Sequence, residues 1–230
     1  MSRYYRAVII DLDGCVYLVD RLIKGSDEAV KMLLGRGVKV LFLTNNSAYT
    51  SKDYCEKLGR MGVPCEENMV LTSGEATAKY IHSISGPSKI LSITGKGFVE
   101  YCKKIGHILI PPERWWEAEY VVVGLDRELT YEKLRAGVRA IYKGAKFVAT
   151  NTDRVLPTPD GIDPGAGTII AAIKEAIGVK PIVIGKPSKI IMEIVLEKLG
   201  LAAGDVLVVG DSIETDIKAG KSMGIDTALV

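Results

Sequence analysis

The chain is 230 residues long, with 25% charged and 47% apolar residues; this balance excludes disordered, collagen-like or low-complexity protein and permits one large or two small domains. Lys and Arg number 30 against 28 Asp and Glu, a net charge of +2 spread along the sequence, so no basic field calls for a nucleic-acid partner. No apolar run approaches the roughly 18 residues of a membrane span, and the first residues enter a strand without a signal-peptide core, which predicts a cytoplasmic protein with no membrane partner.

The first predicted strand, Ala7–Asp11, runs into Leu12-Asp13-Gly14. Two carboxylates at i and i+2 suit chemistry better than strand stability: Asp11 can act as nucleophile or ligand, Asp13 as acid and base. Gly14 permits an abrupt turn that keeps both near one ligand. The plain alternative is a strand ending in an Asx-type turn. Ser26-Asp27-Glu28 then predicts a helix start, with Gly35 and Gly37 as the stop. Strand Val38–Thr44 leads into Asn45-Asn46-Ser47, neutral groups suited to hydrogen-bonding phosphate oxygens.

Further strands are predicted at Ile90–Thr94, Tyr120–Gly124 and Lys146–Thr150, with a helix opened at Thr130 and closed by Gly144. Strand Ile182–Gly185 delivers Lys186, a cation able to neutralise developing negative charge. Ser188 opens the next helix and Gly200 closes it. Strand Val206–Gly210 runs into Asp211, Glu214 and Asp216, an oxygen-rich setting that suits Mg²⁺. Ile225–Val230 is the last strand.

Most of these runs are continuously apolar, as a parallel sheet buried on both faces requires, and their alternation with helices predicts α/β architecture. The suggestive loops lie towards the two ends of the chain. The predicted organisation is therefore a discontinuous core, residues 1–78 and 180–230, with a second α/β domain, residues 79–179, inserted into it.

Other motifs are weaker. Cys15 to Arg21 fits C-x5-R, but its bulky Val-Tyr-Leu-Val interior cannot form a tight phosphate loop. Gly185-Lys186 lacks the rest of a P-loop, and Gly165-Ala166-Gly167-Thr168 lacks the third glycine of a dinucleotide fingerprint. His82 and His107 stand alone, without zinc-ligand spacing, and Trp115-Trp116 reads as a satellite cluster. The four cysteines have no CxxC spacing and are expected as reduced thiols.

Taken in order, DxDG at Asp11–Gly14, then Thr44, Lys186 and GDxxxxD at Gly210–Asp216 resemble the haloacid dehalogenase superfamily of phosphohydrolases. The long insertion, with Leu43–Ser47, Thr150–Asp153, Pro164–Thr168 and Ile184–Pro187, further resembles its type 2 capped, NagD-like or 4-nitrophenylphosphatase branch. The resemblance implies a Rossmann-like parallel-sheet hydrolase core with an inserted α/β cap that acts as a substrate lid. It implies a Mg²⁺-dependent phosphatase acting on a small phosphorylated metabolite through an aspartyl phosphate. By this analogy Asp11 attacks phosphorus and Asp13 protonates the leaving oxygen. Mg²⁺ lies among Asp11, the Asp13 carbonyl and Asp211. Thr44, Asn45 and Asn46 meet the phosphoryl group, Lys186 neutralises it, and Gly14 and Asp216 support the site. In the cap, the loops bearing Asn151, Asp153 and Gly165–Thr168 are candidates for touching the substrate, with turn and helix-start chemistry as the plain alternative. The family pattern continues past residues 227–230 with a further loop and helix; an uncovered apolar edge there invites association, of which a homo-oligomer is one form. The same residue types also serve a non-catalytic receiver-type phospho-acceptor or phosphate-binding domain. Asp13 and the large insertion favour the enzyme.

Overall fold

The computed structural model describes residues 4–158 and 160–230, and contacts divide the chain into two compact units. The first comprises Met1–Thr44, Ser51–Leu71 and Lys186–Val230; the second comprises Asn45–Thr50 and Thr72–Gly185. The second unit thus takes in short segments outside the 79–179 span.

The strands in chain order are β1 (Ala7–Ile10), β2 (Tyr17–Leu18), β3 (Arg21–Leu22), β4 (Lys39–Thr44), β5 (Val70–Thr72), β6 (Lys89–Ile93) and β7 (Ile108–Leu109). They continue with β8 (Tyr120–Val123), β9 (Lys146–Ala149), β10 (Val155–Thr158), β11 (Gly161–Pro164), β12 (Ile182–Val183), β13 (Val206–Gly210) and β14 (Asp226–Leu229). The helices used below are α1 (Ser26–Gly35), α2 (Ser51–Arg60), α5 (Tyr131–Tyr142), α6 (Ala166–Ile177) and α7 (Lys189–Leu199), with α3 (Ser73–Ser85) and α4 (Lys96–Lys104) between the second and third of these.

The architecture is α/β with two five-stranded sheets. The first has the order β14-β13-β1-β4-β5, and its β14–β13, β13–β1 and β1–β4 pairings are parallel. All four residues of β1 are buried, and Phe42, Val8, Leu12, Tyr54 and Leu58 belong to the core around it. Register places Ile10 beside Val209 and Phe42, so β1, β4 and β13 release their next residues at the same sheet edge. The chain lays strands on one side of β1 first and returns to the other side with β13. That reversal makes the carboxyl ends of β1 and β13 the switch point where open parallel sheets bind ligands.

The second sheet has the order β12-β9-β8-β6-β7, parallel throughout. Its core joins Leu91, Val121, Val123 and Phe147 with Ala136 and Ala140 of α5 and Ile169, Ile170 and Ile173 of α6. Gly137 lets α5 approach closely, because a Cβ there would press on Ile93.

The sequence-level helix signals are partly right. Thr130 caps α5 by accepting from the Lys133 amide, Ser188 caps α7 by accepting from Ile190, and Gly200 closes α7 at φ 64°. Ser26 does not cap α1. Its hydroxyl donates to the Val16 and Ile23 carbonyls, and Gly25 takes the cap position. Strands β5 and β7 were not foreseen, since two or three residues carry too little periodicity to read.

The expectation of four reduced thiols needs correction. Cys55 of α2 and Cys65 form a disulfide with Cα atoms 5.3 Å apart, while Cys15 and Cys102 are free. The chain reverses after α2 through Gly62 at φ 77°, which returns Cys65 to the helix; a ten-residue spacing does not announce such a return. The two histidines, isolated in sequence, meet edge to face with ring centroids 5.6 Å apart. His107 has both nitrogens engaged, Nδ1 accepting from Ser88 and Nε2 against the Ala78 carbonyl. No described helix is long and apolar enough to cross a membrane.

Candidate active site

Asp11 follows β1 directly, and its amide donates to the Val209 carbonyl at 3.0 Å, which ties the first loop to the strand that delivers Asp211. Lys186 is buried at 3% exposure, a position an ammonium tolerates only with partners. Its Nζ donates to Asp11 Oδ1 at 2.5 Å, Asp216 Oδ1 at 2.6 Å and the Leu43 carbonyl at 3.2 Å. Asp216 sits in a π-helical turn, Ile213–Ile217, and is itself 1% exposed. Its second oxygen accepts from the Ser212 amide at 3.2 Å and the Thr215 hydroxyl at 3.4 Å. Gly210 has no Cβ where one would collide with Asp216.

Burial raises the Asp11 carboxyl to about 6; Lys186 pulls it down and Asp216 adds to the rise. Burial works against the Lys186 ammonium, but Asp11 and Asp216 overcome it and hold its pKa above the ordinary lysine value. The lysine is therefore a fixed positive charge. Asp13 is open to solvent at its surface yet crowded elsewhere, and desolvation raises its carboxyl against the pull of Lys57 and the Tyr17 hydroxyl. Desolvation and Asp216 likewise raise Asp211.

Asp11, Asp211 and Cys15 present ligand atoms within 4.8 Å of one another. Two carboxylates there suit a hard divalent cation. Burial first, and then Asp11 and Asp211, pushes the Cys15 thiol up to about 12, and a soft thiol is a poor partner for a hard cation that prefers oxygen ligands. Thr44 is buried at the end of β4, in the same unit.

A second set of the predicted residues converges in the other unit. Asn151 is buried and donates through Nδ2 to the Asn45 carbonyl at 2.6 Å, and the Ser73 hydroxyl donates to the same carbonyl. Asn45 Nδ2 donates to Asp153 Oδ1 at 3.3 Å, and the Asp153 amide donates to Asn151 Oδ1 at 3.1 Å. The Thr150 hydroxyl donates to Ser47 at 3.0 Å. Gly185 completes the arrangement, since a Cβ would strike the Thr150 carbonyl. Asn46 Oδ1 accepts from the Ala48 amide, two residues on, at 3.0 Å. Sequence reasoning named Asn45, Asn151 and Asp153 but missed that they hold one another. It missed Ser73 and Ser47 as partners, because serine at a turn or helix start carries no distinguishing signal.

Comparison with known proteins agrees with the geometry. Residues 8–108 match a model described as haloacid dehalogenase-like hydrolase, and residues 183–230 match a HAD-hydrolase-like model. The chain is 39% identical over 226 residues to the 5'-nucleotidase YutF of Bacillus subtilis, covering 98% of this chain and 87% of that protein. It is 37% identical to an acid sugar phosphatase of Staphylococcus aureus, covering 98% and 86%. The solved p-nitrophenyl phosphatase of Archaeoglobus fulgidus superposes with a TM-score of 0.93 at 36% identity, covering 98% of this chain and 86% of that one. Two parallel sheets, the second inserted into the first, and these matches define a haloacid dehalogenase-like hydrolase with a Rossmann-like core and an inserted α/β cap. Within that class the chain belongs to the NagD-like, p-nitrophenyl phosphatase family, and it is a phosphoric monoester hydrolase. The receiver-type alternative is thereby set aside.

Proposed function

We propose that the protein is a Mg²⁺-dependent phosphatase that hydrolyses small phosphorylated metabolites through an aspartyl phosphate on Asp11. The observation that carries this reading is the buried Lys186 ammonium shared between Asp11 and Asp216. Phosphoryl transfer needs positioning and neutralised oxygens more than covalent ingenuity. Lys186 supplies fixed charge beside the carboxylate that would attack, and Asp216 fixes the lysine.

Asp11 and Asp211, with the Asp13 backbone carbonyl, would hold the cation, which supplies charge neutralisation at the phosphoryl oxygens. Thr44, Asn45 and Asn46 donate to the same group. Asp13 protonates the leaving oxygen, then takes a proton from the water that hydrolyses the intermediate; desolvation favours the proton it needs for the first step. The inserted cap, read as residues 79–179, selects the leaving group, with Asp153 the candidate because Asn151 is committed to the Asn45 carbonyl. Relatives named for 5'-nucleotides and for acid sugar phosphates support nucleotides and sugar phosphates as the substrate classes.

Acid quenching during turnover of 4-nitrophenyl phosphate with Mg²⁺ should trap phosphate on the enzyme in a hydroxylamine-sensitive bond. Asp11→Asn should yield neither trapped phosphate nor turnover. Full activity in Asp11→Asn would refute the mechanism.

A further inference from the structure

Lys57 plays no part in the loops that announce the chemistry, yet it is the most heavily engaged lysine on α2. Its Nζ lies 3.9 Å from the centroid of the Tyr17 ring, donates to the Val19 carbonyl at 2.6 Å and pairs with Asp20 at 3.3 Å. All three contacts fall on one short element, the antiparallel hairpin of β2 and β3. That hairpin begins at Tyr17, one short turn after Asp13, and the Gly14 amide donates to the Tyr17 carbonyl at 2.8 Å. Tyr17 is wholly buried, and its hydroxyl reaches Asp13 Oδ2 at 3.5 Å.

The hairpin needs an outside hold. Its turn places Val19 at φ 55°, a left-handed conformation that a β-branched residue adopts only when its surroundings impose it. Two-residue strands contribute little pairing of their own. The Lys57 hydrogen bond lands on the carbonyl of the strained residue, and the ammonium lies over the ring whose hydroxyl faces Asp13. Asp20 is 82% exposed, so its ion pair is the weakest of the three contacts.

We propose that Lys57 is a positioning residue for phosphoryl transfer: it clamps the hairpin so that the Tyr17 hydroxyl holds the Asp13 carboxyl in place for proton delivery. The proposal rests on the reading of Asp13 as the leaving-group acid.

The test is a double-mutant cycle on the Mg²⁺-loaded enzyme, with the phosphorylation step followed by rapid quench for an alkyl phosphate and for 4-nitrophenyl phosphate. Lys57→Met and Tyr17→Phe should each slow the step roughly ten- to a hundredfold for the alkyl phosphate, as misplacement of a reacting group does. The nitrophenyl ester, whose leaving group needs little help, should change by no more than about threefold in each, with KM unaltered. Its retained rate also shows that the variants are folded. Lys57→Arg should restore most of the loss, because it keeps a cation and a donor. In Asp13→Asn, adding Lys57→Met should cost no more than about twofold, since a positioning residue has nothing left to position. Equal factors for the two substrates, or the same Lys57→Met factor with and without Asp13, would overturn the proposal. The acid role of Asp13 is read from Asp13→Asn alone, where equal losses for both esters refute that role. The cycle still decides whether Lys57 acts through Asp13.

Discussion

Gly14 stands where any side chain would run into the carboxylate of Asp211: a Cβ built on it overlaps both the Asp211 Cγ and an oxygen, and its φ of 93° already disfavours a side chain. The glycine of the first loop thus makes room for the acid of the last one. Gly14→Ala should push Asp211 away from Asp11 and raise the Mg²⁺ concentration for half-maximal activity by roughly 10- to 100-fold, as displaced ligand supports do. A Mg²⁺ titration of 4-nitrophenyl phosphate turnover measures this, and an unchanged midpoint with lowered kcat would place the damage elsewhere. Asp211→Asn should shift the same midpoint further.

Metal-free stability offers an independent view of Asp11. Its carboxyl is raised in the folded state to about 6 from 3.8, so the folded protein binds the extra proton between those values. Stability linked to this group is therefore present at low pH and lost as pH rises through about 6. At 1.36 kcal/mol per pH unit the loss is about 3 kcal/mol at most. Melting of the chelated protein should show Asp11→Asn gaining on the wild type between pH 4 and 7. A constant difference over that range would contradict the assignment.

Removing Asp216 tests the other side of the lysine. Asp216→Asn takes an anionic partner from the buried Lys186 and leaves it the Asp11 carboxylate, at a cost of about 3–5 kcal/mol for a broken buried pair. Chemical denaturation should register that loss, and turnover should fall with it. Asp216→Ala, which also strands the Ser212 amide, should be worse.

The Asn45–Asn151–Asp153 network separates anchoring from selection. Asn151→Ala removes a donor from the buried Asn45 carbonyl, to which the Ser73 hydroxyl still donates, and should cost about 0.5–1.5 kcal/mol in stability, with similar proportional loss on every substrate. Asp153→Ala or changes in Pro164–Thr168 should instead reorder kcat/KM among monoesters by about 1–3 kcal/mol while acetyl phosphate changes less. Uniform losses in Asp153→Ala would remove it as a selector.

Reduction should loosen the first unit. The Cys55–Cys65 bridge closes a loop of sequence separation 10, worth about 2–3 kcal/mol in chain entropy. Dithiothreitol or Cys65→Ser should lower the melting temperature. Thiol titration of the denatured protein should count two free thiols before reduction and four after, and four throughout would show the bridge absent.

Much was legible in the residues themselves. Continuous apolar runs bounded by turn residues are what a parallel sheet buried on both faces requires, so the strands that run to Asp11, Thr44 and Gly210 declared themselves, and the turn chemistry after each identified the loops. Singly, Asp11, Lys186 and Asp216 each had an ordinary structural reading; they could be named because their loops, taken in order, resemble one family's motifs. What the residues could not convey was distance. That Lys186 meets Asp11, 175 positions away, is decided by packing, which brings its ammonium to Asp11, Asp216 and the Leu43 carbonyl together. The commitment of Asn151 to a backbone carbonyl follows from the path of its own loop. Cys55 finds Cys65 because the chain turns back at Gly62, and Lys57 reaches Tyr17 because α2 presents it to the hairpin. Local sequence determines which groups are present and which element carries them, since propensity and burial act over a few residues. Only the packed chain decides which groups meet, because hydrogen bonds and ion pairs act over a few ångströms and the sequence separation between partners is unconstrained by either.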